Sequence, residues 1–280
     1  MKRTVQKAFP LFVLPTVIAF VIGFIVPFIM GVYLSFCKFK VITQTRFVGL
    51  DNYIKIIGDK DFLHSLWFTV AFTAASVLTI NLLAFAVAML LTKNFRGTKL
   101  FRTVFFMPNL IGGIVLGYIW QIILNGILAH WGVVLTYDEK FGFLGLLVLL
   151  NWQQIGYMMI IYIAALMAVP PELLESAQID GANRWERLKN VIIPCVRPSI
   201  TICTFLTLTN GFKLFDQNLS LTAGKPGHAS EMLALNIFNT FYGRVGYQGV
   251  GQAKAVVFAV LVGLIAFTQL YITRRKEVQA

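Results

Sequence analysis

Six stretches of the chain, residues 10–36, 66–92, 103–124, 143–169, 198–212 and 255–273, contain no Asp, Glu, Lys or Arg. A helix crosses the hydrocarbon core of a bilayer with about 20 apolar residues, which is the scale of these stretches. With 58% hydrophobic and 13% charged residues, the sequence lies far outside soluble globular composition. The expected fold is therefore an all-α integral membrane protein, with six transmembrane helices in a single domain covering residues 1–280. The first stretch is too long for the apolar region of a signal peptide and no small-residue cleavage site follows it, so it is read as a span. With no Asp, Glu, Lys or Arg inside these spans, the pattern argues against a proton-coupled carrier, since such pumps usually keep a charged relay at membrane depth.

Charge then sets the sidedness. The net charge of +12 does not mark a nucleic-acid surface, because the basic residues gather at the ends of apolar stretches and form no stripe with interleaved aromatics. The termini and the segments 93–102 and 171–197 carry 14 Lys and Arg in 53 residues, against 10 in 89 on the other side. The denser side is expected to be cytoplasmic, with Lys2, Arg3 and Lys7 ahead of the first span and Arg274, Arg275 and Lys276 after the last. Cys37, Cys195 and Cys203 lack metal-ligand or disulfide spacing, and His64, His130 and His228 are dispersed, so no metal site is expected.

The long polar stretch 170–197 is built like a folded element. Pro170 and Pro171 suit a helix start, and Glu172 and Glu175 then sit at the positive end of the dipole. The first helix is predicted to stop near Ile179, with Gly181 taking the left-handed conformation that closes it. Asp180 or Asn183 can cap the next helix, and Asn183 has Glu186 at capping-box spacing. Pro194 is expected to limit that second helix. Leu173, Leu174 and Ala177 are predicted to share one face, as are Trp185 and Leu188. From physics alone, a solvated connection and a partner-docking corner both remain open.

Elsewhere, Asp51 and Asp61 are expected to cap a short helix and the second span. Pro15 and Pro27 can kink the first span. Pro108, Gly112, Gly113 and Gly117 permit close packing and local unwinding in the third. Uncharged polar and aromatic residues at membrane depth offer hydrogen bonds and flat apolar faces that could line a pathway: Trp120, Gln121 and Asn125, then Asn151, Trp152, Gln153 and Tyr157, then Thr209, Asn210 and Gln217. Asn151 to Gln154 would be costly facing lipid. The competing reading is hydrogen bonding between helices, and for Trp120 an interfacial anchor.

The run Glu175-Ser176-Ala177-Gln178-Ile179-Asp180-Gly181-Ala182, ending in Ile193-Pro194, resembles the EAA loop of permease subunits in bacterial ABC importers. Phe47-Val48-Gly49-Leu50-Asp51-Asn52-Tyr53, then Arg102 with Phe105-Phe106-Met107-Pro108, and Gly211 to Thr222 with Phe215-Asp216, are similar to the sugar-importer branch related to the maltose permeases. Ser176 stands where that family has alanine, and Ala223-Gly224-Lys225-Pro226 departs from its usual glycine pair before proline.

The resemblance implies a type I importer permease fold, with 171–197 as the loop that couples to an ATP-binding subunit. Leu173, Leu174, Ala177 and Trp185 would then be apolar anchors, Gly181 and Ala182 the corner, and Glu175 and Asp180 acceptors for the partner. It further implies a second homologous permease in a heterodimer, two ATP-binding subunits, an extracytoplasmic sugar-binding protein and a location in the bacterial cell membrane. ATP and magnesium would reside on the partners. The single Gly-Lys pair, Gly224-Lys225, has Leu219 and Pro226 where a Walker A needs glycine and Ser or Thr, so the chain is expected to be a non-catalytic permease subunit. A permease for glycerol phosphate, a polyol or an amino acid is the alternative, with a secondary carrier or a membrane scaffold behind it.

Overall fold

The computed structural model describes residues 13–41, 43–93 and 96–274. Residues 10–12 of the first span and the basic residues Lys2, Arg3, Lys7, Arg275 and Lys276 lie outside the described residues. Among the described residues six helices are long and apolar enough to cross a membrane. The chain divides into two compact units, Met1–Lys60 with Ile237–Val260, and Asp61–Asn236 with Leu261–Ala280.

In the first unit, helix α1 (Val13–Ser35) contains a π-helical stretch at Val21–Ile25, which ends two residues before Pro27. The wider turn accommodates the proline without breaking the helix. A short antiparallel pair, β1 (Cys37–Lys38) and β2 (Arg46–Phe47), follows. Helix α2 (Asp51–Ile57) starts at Asp51 itself, and its N-cap Leu50 makes no side-chain bond. Asp51 is thus in the first turn, where it meets the helix dipole, and is not the cap expected from sequence. Buried Asn52 donates from Nδ2 to the carbonyls of Ser35 (2.8 Å) and Cys37 (2.9 Å), and the Tyr53 and Ser35 hydroxyls are 2.6 Å apart. These bonds give the Gly49-Leu50-Asp51-Asn52-Tyr53 run its physical role, pinning α2 to the end of α1.

The second unit opens on α3 (Lys60–Leu91), with Asp61 in its first turn and not ahead of it. The third apolar stretch is not one helix. Amphipathic α4 (Thr98–Phe106) passes into a 3-10 turn at Met107–Leu110, extended backbone at Ile111 and Gly112, and then α5 (Gly113–Leu128). Pro108 and the glycines break the helix, as their chemistry allows. Arg102 Nη2 donates to the Leu91 carbonyl at 2.8 Å, satisfying an orphan acceptor at the end of α3.

Helix α6 (Glu139–Met167) receives the backbone of α4 closely: a Cβ added at Gly156 would collide with the Phe105 carbonyl and lie 2.8 Å from Phe106 N. Then come α7 (Pro171–Ile179), α8 (Arg184–Arg187), a π-turn Leu188–Ile192 and α9 (Ile193–Phe212). The last three form one continuous helix, Arg184–Phe212. Pro194 therefore does not limit the second loop helix. As in α1, the π-turn ends two residues before the proline and relieves it. Helix α10 (Asp216–Leu221) packs on Gly113 and Gly117 of α5, where added Cβ atoms would meet Asp216 and Ser220. The buried core of this unit runs through Phe72, Ile80, Leu146, Leu149, Met158, Tyr162 and Cys203.

Helix α11 (Leu233–Gly243) and helix α12 (Gln248–Arg274) complete the chain. Because α12 begins before residue 255, it carries Lys254, a charge outside the span boundaries drawn from hydropathy. Lys254 is fully buried within the first unit. Its Nζ lies 2.8 Å from Asp59 Oδ2 and 2.8 Å from Thr240 Oγ1. A buried ammonium is tolerated when paired and hydrogen-bonded in this way.

Candidate functional site

The corner between α7 and α8 is closed on both sides by local bonds. Asp180 caps α7, Gly181 has φ +83°, and two hydrogen bonds complete a Schellman motif. They run from Gly181 N to the Gln178 carbonyl (3.1 Å) and from Ala182 N to the Ala177 carbonyl (2.9 Å). Asn183, not Asp180, caps the next helix. Its Oδ1 accepts from Trp185 N and Glu186 N, both at 3.0 Å, while Glu186 Oε2 accepts from Asn183 N at 2.8 Å. This is the capping box anticipated from spacing. Arg187 Nη1 donates to Gln178 Oε1 at 3.2 Å and ties the two helices together.

The apolar residues of the corner divide between two sides. Leu173 is 47% exposed, Ile179 85% and Trp185 68%. Leu174 and Ala177 are half-buried, and Leu174 lines a groove with Met89 and Ile192. Across the expected face of Leu173, Leu174 and Ala177, the fold covers the Leu174 and Ala177 side and leaves Leu173 outward. Sequence reasoning did not select Ile179 as an anchor, although an isoleucine in the last turn before a left-handed glycine was the available signal. Glu175, Asp180 and Gly181 are exposed and Ala182 is half-buried.

The uncharged polar residues meet around the middle of α6. Asn151 lies about 18 Å along this helix at 1.5 Å per residue, near its midpoint. Gln217 Nε2 donates to Gln153 Oε1 (2.8 Å), and Gln153 Nε2 to the Ile111 carbonyl (3.3 Å). Asn210 Nδ2 donates to Gln154 Oε1 (3.1 Å), and Asn151 Nδ2 to Thr79 Oγ1 (3.0 Å). The indoles of Trp120 and Trp152 pack edge to face at 5.6 Å. Gln121 Nε2 donates to the Leu221 carbonyl at 2.9 Å, and half-buried Tyr157 packs on the core. Helix-to-helix bonding is thus present at Gln121, Asn151, Gln153, Asn210 and Gln217. Buried Asn151 Oδ1 is left without a hydrogen-bond partner. Asn125 and Thr209 stand apart: Asn125 Oδ1 accepts from Leu135 N (2.8 Å) and Thr209 bonds within its own helix. Asn81 escaped the sequence reading; it joins Tyr162 (2.7 Å) to Thr207 (3.0 Å), and its signal was a lone amide in an apolar run.

A family model described as binding-protein-dependent transport system inner membrane component matches residues 80–278, which include both the corner and the amide patch. The chain belongs to this family. As a permease it is 40% identical to a probable starch degradation products transport system permease of Thermoanaerobacterium thermosulfurigenes, over 96% of this chain and 94% of that one. It is 27% identical to a trehalose/maltose transport system permease of Thermococcus litoralis, over 94% and 91% of the two chains. The permease fold is similar to a chain in the crystal structure of a bacterial ABC transporter involved in the import of the acidic polysaccharide alginate. That match has a TM-score of 0.84 and 20% identity and covers 98% of each chain. This permease is thus a membrane-embedded transport subunit with the six-span importer fold.

Proposed function

We propose that this chain is the membrane subunit of an ATP-driven carbohydrate importer. It forms part of the translocation pathway with a second, different permease, takes its cargo from an extracytoplasmic sugar-binding protein, and is driven by two ATP-binding subunits that carry ATP and magnesium. The termini and the 171–197 corner lie in the cytoplasm, in agreement with the denser Lys and Arg there. The observation that carries this reading is the doubly capped corner with Leu173, Ile179 and Trp185 exposed. A rigid element with apolar anchors transmits a push from a partner, whereas a floppy loop absorbs it. Glu175 and Asp180 supply acceptors beside those anchors, and Gly181 with Ala182 forms the bend.

The patch of Trp120, Gln121, Asn151, Trp152, Gln153, Tyr157, Asn210 and Gln217 is the stretch of pathway that this chain contributes. It offers amides and indoles without a formal charge, which suits a neutral sugar; the names of the two permease relatives support the same cargo class. The expected outcome in proteoliposomes is no sugar uptake by the chain alone, and uptake of labelled maltodextrins on ATP addition by the complex with ATP-binding and sugar-binding subunits. Competition by glycerol phosphate or amino acids in place of oligosaccharides would reassign the cargo. Ion-driven uptake by the chain alone would overturn the reading.

A further inference from the structure

The groove on the inner side of the corner has a chemistry of its own. It is lined by Met89, Lys93, Leu174, Arg184, Arg187 and Ile192, with a volume of about 390 Å³, within the range of ligand-binding clefts. Among the described residues, half of this lining is cationic and none of it is a carboxylate. Glu186, the acid between the two arginines in sequence, is engaged by the Asn183 backbone. The other half of the lining, Met89, Leu174 and Ile192, is apolar. Met89 is in the last turn of α3 and Lys93 lies just past its end at Leu91. The groove therefore sits where a membrane-spanning helix leaves the hydrocarbon, at the depth of the lipid headgroups.

Basic pockets between membrane helices on the cytoplasmic side take anionic headgroups. We propose that this groove binds an anionic phospholipid of the cytoplasmic leaflet, with Lys93, Arg184 and Arg187 around its phosphate and Met89 and Ile192 against the first methylenes of its acyl chains. A free phosphate would leave the apolar half of the groove unused. A docked protein has Leu173, Ile179 and Trp185 on the exposed side, whereas Leu174 belongs to the groove. The lipid braces α7 against the end of α3, so coupling depends on leaflet composition. The proposal rests on the cytoplasmic placement of the corner given above.

The test uses the assembled importer in nanodiscs of equimolar phosphatidylcholine and phosphatidylglycerol, with retained lipid read by native mass spectrometry. The wild type retains phosphatidylglycerol preferentially. Lys93→Gln with Arg184→Gln lowers that preference by roughly tenfold or more, since each cation near the surface favours an anionic lipid by a factor of about five. Stimulation of ATPase by phosphatidylglycerol falls with it. Lys38→Gln with Lys40→Gln, the same loss of charge elsewhere, leaves the preference intact. Unchanged retention in the groove variant overturns the proposal. So does displacement of the lipid by inorganic phosphate, which would make this a free-anion site. Loss of the ATP-binding subunits from the variant in pure phosphatidylcholine overturns it too, by making the groove a protein contact. Retention is read without cargo, so a complex that keeps its lipid but imports no sugar refutes the transport reading alone.

Discussion

Replacing Gly181 isolates the backbone of the corner from its packing. Its φ is +83°, and nothing lies within 4 Å of a Cβ built there, so a substitution introduces no clash within the chain. The remaining cost is conformational, about 1–2 kcal/mol for an L-residue in the left-handed region, with a β-branched residue at the upper end. Opposing it are the two Schellman hydrogen bonds, each worth about 0.5–1.5 kcal/mol net. Alanine therefore loosens the corner and valine offsets most of what closes it. The closed-to-open ratio falls about fivefold for Gly181→Ala and about 10- to 30-fold for Gly181→Val. If transport follows the population of a corner held closed by about 2 kcal/mol, sugar-stimulated ATPase drops by about a tenth for alanine and by up to about half for valine. Gly181→Asn stays near wild type, because asparagine tolerates this conformation. The assay is sugar-stimulated ATPase of the reconstituted complex, with co-purification of the ATP-binding subunits as the control for assembly. A fully assembled Gly181→Val complex with wild-type ATPase would refute the mechanical role. Equal damage from Asn and Val would show that side-chain bulk matters and backbone sign does not.

Further expectations concern packing, the buried charge and the pathway. Gly156→Ala forces α4 off α6 against backbone atoms that cannot rotate away, costing at least the about 1–3 kcal/mol typical of overpacking; a thermal midpoint in detergent equal to wild type would contradict the close crossing. Lys254→Met leaves Asp59 without its ammonium and destabilises the first unit by about 3–5 kcal/mol. Adding Asp59→Asn recovers much of that loss in thermal unfolding, and no recovery would mean the pair is not the reason for the damage. Asn151→Ala or Trp152→Ala raises the half-saturating sugar concentration about three- to tenfold, the scale of one neutral hydrogen bond, in a complex that assembles normally. An unaltered value for both removes the patch from the pathway.

The corner was legible because its determinants are neighbours in sequence. Proline at a helix start, glycine just past a helix end and Asn183 three residues before Glu186 act over a few bonds, and each took the form that spacing predicts. Span ends were less legible, since hydropathy marks where the hydrocarbon stops while a helix continues into water: α3 starts at Lys60 and α12 at Gln248. The continuous helix through Pro194 was not legible, because proline stops a regular α-helix and nothing in the local residue pattern announced the π-turn that relieves it.

By itself, then, the sequence determined a six-span membrane protein and a capped polar corner, because hydrophobic length and helix capping are local properties. The tertiary structure decided which side of α7 is free, setting Leu174 on a groove with Met89 and Ile192 and leaving Ile179 exposed. It also decided the partners of the membrane amides, such as Asn151 with Thr79, 72 residues away, and the burial of Lys254 beside Asp59. An unpaired polar group is costly in an apolar interior, so these residues must find partners. Which partners they find depends on how distant helices come together.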